Sequence, residues 1–253
     1  FNQYVATLDD GKSGKQQAAA QALKKKWTIR DEEWDMLAEL VRVLEPFEFA
    51  TRVFSTRGRT VLHSVLSTYA LLRIKLVESQ ERLNALYGPQ DPFGIVGALL
   101  AGKDKLDEYF SMAKDNSLIL IASILHPGMR LSYFQDTEKS GTSGPLLARR
   151  GRELLEHLYK DYKLALSDST TDSATQPTRP TIINSTENWF DNLLNVTANQ
   201  PGSTLFYFEE LNDYFDGKYR YKCGDILVWW EENELYFPIL SQIARDFLAI
   251  PAT

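Results

Sequence analysis

Apolar residues in this chain of 253 residues return at three- and four-residue intervals almost from end to end. Strict alternation of apolar and polar residues is nearly absent. The first spacing stacks side chains on one face of an α-helix, whereas a half-buried strand needs a period of two. The pattern therefore predicts a mainly all-α protein with little strand. Hydrophobic residues make up 43% of the chain and aromatic residues 12%, enough apolar surface to build a core and to argue against global disorder. The length allows one large domain or two small ones.

The helices can be laid out in order. Lys12 to Lys26 is rich in Ala, Gln and Lys, all good helix formers. Thr28, followed by Asp31-Glu32-Glu33, reads as an N-cap. Behind it, Trp34, Leu37, Ala38, Val41 and Leu44 form one stripe, with Met36, Leu40, Val43 and Phe47 beside it. A surface that wide predicts packing on more than one side. Pro46 is expected to bend or end this helix. Thr60 to Leu86 reads as a second long helix with Leu62, Val65, Leu66, Tyr69, Leu72 and Leu76 on its core face, closed by Gly88-Pro89. Asp91-Pro92 is expected to open a third, with Val96, Leu99, Leu100, Leu106, Tyr109 and Phe110 as its stripe. Ser117 to Leu125 reads as a short apolar helix or buried segment stopped by Pro127-Gly128. After a polar loop from Gln135 to Gly144, Pro145 to Leu166 carries Leu147, Leu154, Leu155, Leu158 and Tyr162 on one side.

The composition then shifts. Residues 167–186 hold almost no apolar side chain and read as a linker, followed by a short amphipathic piece around Trp189, Phe190, Leu193 and Leu194. This divides the chain into a helical region over 1–166, a largely disordered linker with one short helix over 167–204, and a C-terminal block over 205–253. In that block Phe206, Phe208, Leu211, Tyr214 and Phe215 predict a helix ended by Gly217. Asp225 is expected to cap the next helix, and Pro238 to sit in the first turn of the last. Tyr236, Leu240, Ile243, Ala244 and Phe247 make the stripe of that last helix.

Several function classes lose ground on composition. A net charge of −6 argues against a dedicated nucleic-acid module. The single cysteine, Cys223, precludes an intrachain disulfide and is read as a small buried residue. His63, His126 and His157 lack zinc-ligand spacing, so no metal site is expected. The longest apolar run, Ser117 to Leu125, is too short to span a bilayer, and there is no signal peptide at the start. No small-molecule substrate is evident. The opening at Phe1 and the stop at Thr253 read as the ends of a fragment. Two basic runs, Lys24-Lys25-Lys26 and Arg149-Arg150-Gly151-Arg152, are the candidates for phosphate contact. Each is read first as a solvated helix face, the lysines lying near a negative dipole end. Glu231, Glu232 and Glu234 are likewise read as a solvated face rather than an acid–base or metal cluster. His126 is read as a loop or core histidine, since no catalytic partner is identifiable.

Read together, Glu210-Leu211 with Tyr214, Asp225-Ile226-Leu227 with Trp229-Trp230, Phe237-Pro238 with Leu240, and Ile243 through Thr253 resemble the C-terminal dimerisation region of hAT-family DNA transposases. More loosely, Trp34 with Leu37, Leu44-Glu45-Pro46-Phe47, Thr51, Ser55, Thr60 and Ile121 through Pro127 resemble that family's helical insertion. Arg59, His126 and Gly128 depart from it, standing where proline, aspartate and arginine are common, which leaves the role of that loop open. The resemblance implies a helical insertion bundle followed by a short block that in the family completes a ribonuclease-H-like core. It also implies self-association, a nuclear location, and DNA as a partner through the parent protein. Candidate dimer-interface residues are Leu227, Trp229, Trp230, Phe237, Pro238, Leu240, Ile243, Phe247 and Leu248. Adjacent helix positions point about 100° apart, so one tryptophan can face inward while the other faces a partner. In the family three carboxylates hold two divalent metals for strand cleavage and transfer. Two are expected upstream of this chain and one downstream, so no catalytic residue, no cofactor and no enzymatic activity is expected of the chain alone. The alternative is a DNA-contacting helical region of a transposase whose intact parent performs metal-dependent cleavage.

Overall fold

The computed structural model describes residues 1–56, 58, 60–88, 91–168 and 209–250. Among them every regular element is helical and none is a strand, as the periodicity predicts. The proposed linker over residues 167–186 and the amphipathic piece around Trp189 lie outside the described residues, apart from the last helical turn that reaches Asp168.

In chain order the elements are α1 (Asn2–Ala6), α2 (Gly14–Trp27), α3 (Asp31–Phe54), a 3-10 turn (Leu62–Ser64), α4 (Val65–Tyr87), α5 (Ile95–Asp115) and α6 (Ser117–Ile124). There follow α7 (Arg130–Gln135), α8 (Thr137–Ser140), α9 (Gly144–Asp168), α10 (Glu209–Phe215), α11 (Ile226–Glu232) and α12 (Pro238–Leu248). They divide into two compact units: residues 1–49 with 74–103, and residues 50–73 with 104–253.

In the first unit, Asn2 exchanges hydrogen bonds with the backbone of Ile29, its amide donating at 2.8 Å and its carbonyl accepting at 3.1 Å. Lys24 donates to Asp9 at 2.9 Å and to the Ala6 carbonyl at 2.8 Å, fastening α2 to the start of the chain. Glu39 is buried on α3 and compensated by Arg42 at 2.5 Å and by Arg82 of α4 at 2.8 Å. Unpaired, that carboxylate would be costly to bury.

Four local expectations change here. Thr28 does not open α3. It ends α2, its N–H and hydroxyl both donating to the Lys24 carbonyl. The opening of α3 is secured instead by Glu33, whose carboxylate accepts from the Arg30 N–H at 2.8 Å, a side chain reaching back to an otherwise orphaned donor. Pro46 does not end α3, which continues to Phe54. The bond it forfeits would have used the carbonyl of exposed Arg42, where water can substitute. The buried line of α3 is Glu39, Val43 and Ala50, whereas Trp34, Val41 and Leu44 are exposed. Asp91 does cap α5, but at Ile95 and Val96, so the helix opens past Pro92.

The second unit is arranged around α6. Six of its eight residues are buried, and Leu120, Ile121, Ala122 and Ile124 have no exposed surface. Asn116 caps it, accepting from Leu118 and Ile119 N–H. The 3-10 turn, α7, α9 and α12 all pack against it. On α4 the expected core face holds, with Leu62, Val65, Leu66 and Leu72 buried ahead of it and along it. On α9 Leu147, Leu154, Leu155 and Leu158 are buried as the spacing predicts. The loop expected over Gln135 to Gly144 contains α8.

Gly151 shows how closely α9 approaches α6. A Cβ at that position would stand 2.0 Å from Ile124 Cδ1, and Ile124 is itself fully buried. Gly151→Ala would gain about 1 kcal/mol of helix propensity but overpack the core at roughly 1–3 kcal/mol. Net destabilisation is therefore expected in urea unfolding. Adding Ile124→Val, which removes the clashing carbon, should recover part of the loss, a coupling a double-mutant cycle measures directly.

Candidate association site in the C-terminal block

Each helix of the C-terminal block is positioned by a polar contact at one end. The Asp225 carboxylate accepts from the Leu227 N–H at 2.8 Å and caps α11, as expected. Pro238 occupies the first turn of α12, also as expected. Phe237 offers α12 no side-chain cap, and Glu210 of α10 supplies it. One carboxylate oxygen accepts from Ile239 and Leu240 N–H at 3.1 and 2.7 Å, and the other accepts from the Tyr159 hydroxyl at 3.0 Å. Burial raises the Glu210 pKa above the ordinary carboxylate range, and the hydrogen bonds from Leu240, Tyr159 and Ile239 oppose that shift. A carboxylate at a helix N-terminus also meets the positive end of the dipole.

The block is anchored on the end of α6. Pro127 has no N–H, the Gly128 N–H goes to His126 Nδ1, and the Met129 N–H goes to the His126 carbonyl. The buried carbonyls of Ile124 and Leu125 are thereby denied helical donors. The Tyr214 hydroxyl donates to the first at 2.8 Å, and Trp230 Nε1 donates to the second at 3.0 Å. Both side chains are completely buried, and burial raises the Tyr214 pKa, so the phenol stays a donor. Arg130, at the start of α7 with φ of 52°, lies over the Tyr214 and Trp229 rings at 5.1 and 5.9 Å and donates to the Tyr219 carbonyl at 2.5 Å. Gly217 closes α10 with φ of 75°, and a Cβ there would meet Arg130 Nη1 at 2.6 Å. The left-handed backbone favours glycine, and any larger side chain would have to displace the Arg130 guanidinium.

The sequence-derived interface residues fall mostly inside this core. Trp230, Phe237, Leu240 and Ile243 have no exposed surface, and Trp229, Phe247 and Leu248 have almost none. The expectation that one tryptophan faces inward and the other outward is corrected: both face inward. Their rings meet edge to face at 5.0 Å, and Trp229 also stacks on Phe237 at 6.0 Å. The loop beyond α10 folds back over α11, receiving the Trp229 Nε1–H on the Arg220 carbonyl at 3.3 Å, so the polar edge of the indole is also satisfied. Leu227 and Pro238 do reach the surface.

Of the apolar side chains the block exposes, Tyr236 is expected in the stripe of the last helix and that expectation is corrected, whereas Val228 and Leu235 are outside the stripe. Val228 is 48% exposed, Leu235 92% and Tyr236 58%. Tyr236 lies in the turn ahead of α12, which opens only at Pro238, so helical spacing does not carry it onto the buried face. Cys223 is exposed, correcting the buried reading. With φ of 70° it turns the chain just before Asp225, a loop-tip position with no core beneath it. Glu231 and Glu232 are exposed, as read from their spacing.

Of the two basic runs, Arg150 faces inward to the end of α5, donating to the Asp115 carbonyl at 2.8 Å and to Ser117 Oγ at 2.9 Å. Arg149 and Arg152 lie near Glu153 and Glu156 at 3.9 and 3.7 Å, and Arg152 also covers the Phe215 ring at 4.5 Å. Lys24 is engaged with Asp9, while Lys25 and Lys26 are exposed. Among the described residues no group of three or more His, Cys, Asp or Glu side chains is placed to hold a metal ion. No described helix is long and apolar enough to cross a membrane.

His63, at the 3-10 turn, and His126 lie 4.9 Å apart between ring centroids with their planes tilted by 44°, and Tyr221 meets His126 edge-on at 5.2 Å. Burial pushes the His63 pKa down to about 4, assisted by His126, and lowers His126 as well. His63 Nδ1 is buried without a hydrogen-bond partner.

Residues 207–253 match the model of the hAT family C-terminal dimerisation region. The chain is similar to the zinc finger BED domain-containing protein DAYSLEEPER of Arabidopsis thaliana, 26% identical over 88% of this chain and 30% of that protein. It is similar to RICESLEEPER 2 of Oryza sativa, 29% identical over 68% of this chain and 25% of that protein. It is also similar to zinc finger BED domain-containing protein 4 of Homo sapiens, 22% identical over 88% of this chain and 17% of that protein. The chain thus spans less than a third of the length of these relatives. No solved structure matches it. The resemblance to the hAT family read from the residues stands on these matches.

Two outcomes are expected from this anchoring. Tyr214→Phe removes only the hydroxyl and strands the Ile124 carbonyl, which should cost roughly 1–3 kcal/mol in urea unfolding followed by circular dichroism. Trp230→Phe should cost more, because it strands Leu125 and leaves a cavity. Acidification tests the histidine pair. A folded pKa below the unfolded value makes the unfolded chain bind more protons. Stability present above about pH 6.5 should therefore fall as pH drops toward about 4, by on the order of 1–3 kcal/mol. His63→Phe should flatten that pH profile.

Proposed function

We propose that this chain is the helical and self-associating part of a hAT-type, transposase-related protein, and that it does not cut DNA by itself. The observation that carries the reading is the match of residues 207–253 to the family's dimerisation region. The geometry supports it, since that block is folded as a unit on α6 and α9 and still presents apolar side chains to solvent. The residues through which this chain resembles the family are not its catalytic carboxylates, and strand cleavage is assigned to the parent protein with its divalent ions. A nuclear location follows from the same reading.

Duplex contact by the helical region is the alternative, and Lys25 and Lys26 at the end of α2 are the side chains most available for it. Such binding would weaken steeply with added salt.

Light scattering coupled to size exclusion decides the main reading. The expected mass is about twice the 28.9 kDa of one chain. A clean monomer at tens of micromolar, on the order of typical transient affinities, would overturn it.

A further inference from the structure

The loop over residues 218–224 lies between α10 and α11, and side chains rather than paired backbone hold it in place. Among the described residues no backbone–backbone hydrogen bond is made by residues 219–224. Tyr219 packs on Tyr236 and Phe237 at 4.6 and 5.1 Å between ring centroids, and its carbonyl accepts from Arg130 at 2.5 Å. The Arg220 carbonyl accepts from Trp229 Nε1 at 3.3 Å. Tyr221 rests edge-on against His126, its hydroxyl donating back to the Gly224 carbonyl at 2.6 Å. A segment held this way opens more readily than the helices around it.

The contact at Tyr221 depends on a proton. The Gly128 N–H donates to His126 Nδ1 at 3.0 Å. A ring nitrogen that accepts carries no hydrogen of its own, so the neutral imidazole holds its hydrogen on Nε2. A second proton can enter only at Nδ1, where it takes the lone pair that Gly128 uses, and two donors then face each other. There is little room to absorb this. A Cβ on Gly128 would stand 2.9 Å from Tyr221 Cδ1 and 3.1 Å from His126 Cε1, so the Gly128 backbone abuts both rings. The groups facing His126 are His63 from the 3-10 turn, with its Nδ1 buried and unpartnered, Tyr221 from the loop, and the Arg130 N–H from α7, which donates to the His126 carbonyl at 3.1 Å. The Arg130 guanidinium lies over Tyr214 and Trp229, and Cys223 and Asp225 bear on the Tyr221 phenol. Among the described residues His126 supplies the one charge acting on His63, and no other residue's charge acts on His126. No described carboxylate is thus placed to stabilise an imidazolium here, and burial favours the neutral rings.

We infer that His126 is an acid-sensitive latch for the loop over residues 218–224. A proton at Nδ1 removes the acceptor from Gly128, the Gly128 peptide turns against Tyr221, and the loop lifts from the end of α6. The Arg220 carbonyl leaves Trp229 with it, being next in the chain to Tyr221 and held by no backbone pairing. The anchors of the block are untouched, because Tyr214 and Trp230 donate to Ile124 and Leu125 and take nothing from His126. Acid therefore opens the loop before it unfolds the helices. With the loop open, His126 is solvated and binds its proton near the ordinary histidine value of about 6.5, whereas burial in the closed loop makes it bind less readily. The opening constant is accordingly flat above about pH 6.5 and rises as pH falls below it, by up to roughly tenfold per pH unit.

The test follows amide and indole N–H signals of the full chain by heteronuclear NMR as pH is lowered from neutral through the histidine range, with far-ultraviolet circular dichroism recorded alongside. The Gly128 amide and the Trp229 indole should move together, while the Trp230 indole, bonded to Leu125, stays in place and the helical signal is unchanged. His126→Asn puts a non-titrating oxygen where Nδ1 stands, and the Trp229 signal should then be independent of pH over the same range. Tyr221→Ala should give Trp229 its low-pH position already at neutral pH. His63→Phe removes the neighbouring titration and should leave that of Trp229 in place. If Trp229 and Trp230 move in step, the acid event is unfolding of the whole block and the latch is wrong. A Trp229 signal that does not respond to pH in the wild type, or that still responds in His126→Asn, also overturns the inference.

Discussion

A helix that ends inside a hydrophobic core leaves carbonyls that nothing apolar can satisfy. In this protein the problem arises at the end of α6, where Pro127 removes one donor and the His126 side chain and carbonyl capture the next two. Tyr214 and Trp230 resolve it from the far end of the sequence, across separations of 90 and 105 residues. Each brings a large apolar ring and a single polar hydrogen, which suits a site that is dry except for one acceptor. Because a stranded buried carbonyl costs about as much as several buried methylenes gain, α6 and the C-terminal block are folded as one structure.

That anchoring constrains the rest of the second unit. Once Trp230 and Tyr214 are seated, Trp229 and Phe237 complete an aromatic cluster around them, and Arg130 lies over two of its rings. The α12 helix then needs its opening N–H groups satisfied, and Glu210 does so because α10 is already docked beside it. The side chains that define the family resemblance are therefore mostly those that hold the block together.

Much of this architecture was legible in the residues. The all-helical class, the Asp225 cap, the position of Pro238, the burial of Ser117 to Leu125 and the core faces of α4 and α9 all follow from local spacing and capping chemistry. The misreadings share a cause. Thr28 could cap either the helix before it or the one after it, and the choice lay with Glu33 reaching back to Arg30. On α3 two parallel stripes were equally apolar, and nothing local says which meets the core. Pro46 is tolerated because its lost bond falls toward solvent. Cys223 is exposed because its backbone turns a loop, which a small apolar side chain does not announce.

By itself the sequence determined what period, propensity and caps control: which long segments are helical, where most of them begin, and which family pattern the C-terminal block resembles. Those are local properties, set by interactions within a turn or two of the chain. Only the tertiary structure decided that both tryptophans face inward, that Glu210 caps a helix some thirty residues away, and that Tyr236, expected in the stripe of the last helix, is exposed in the turn before it. These outcomes depend on which distant carbonyls and amides lack partners once the helices pack, and no short-range pattern encodes that.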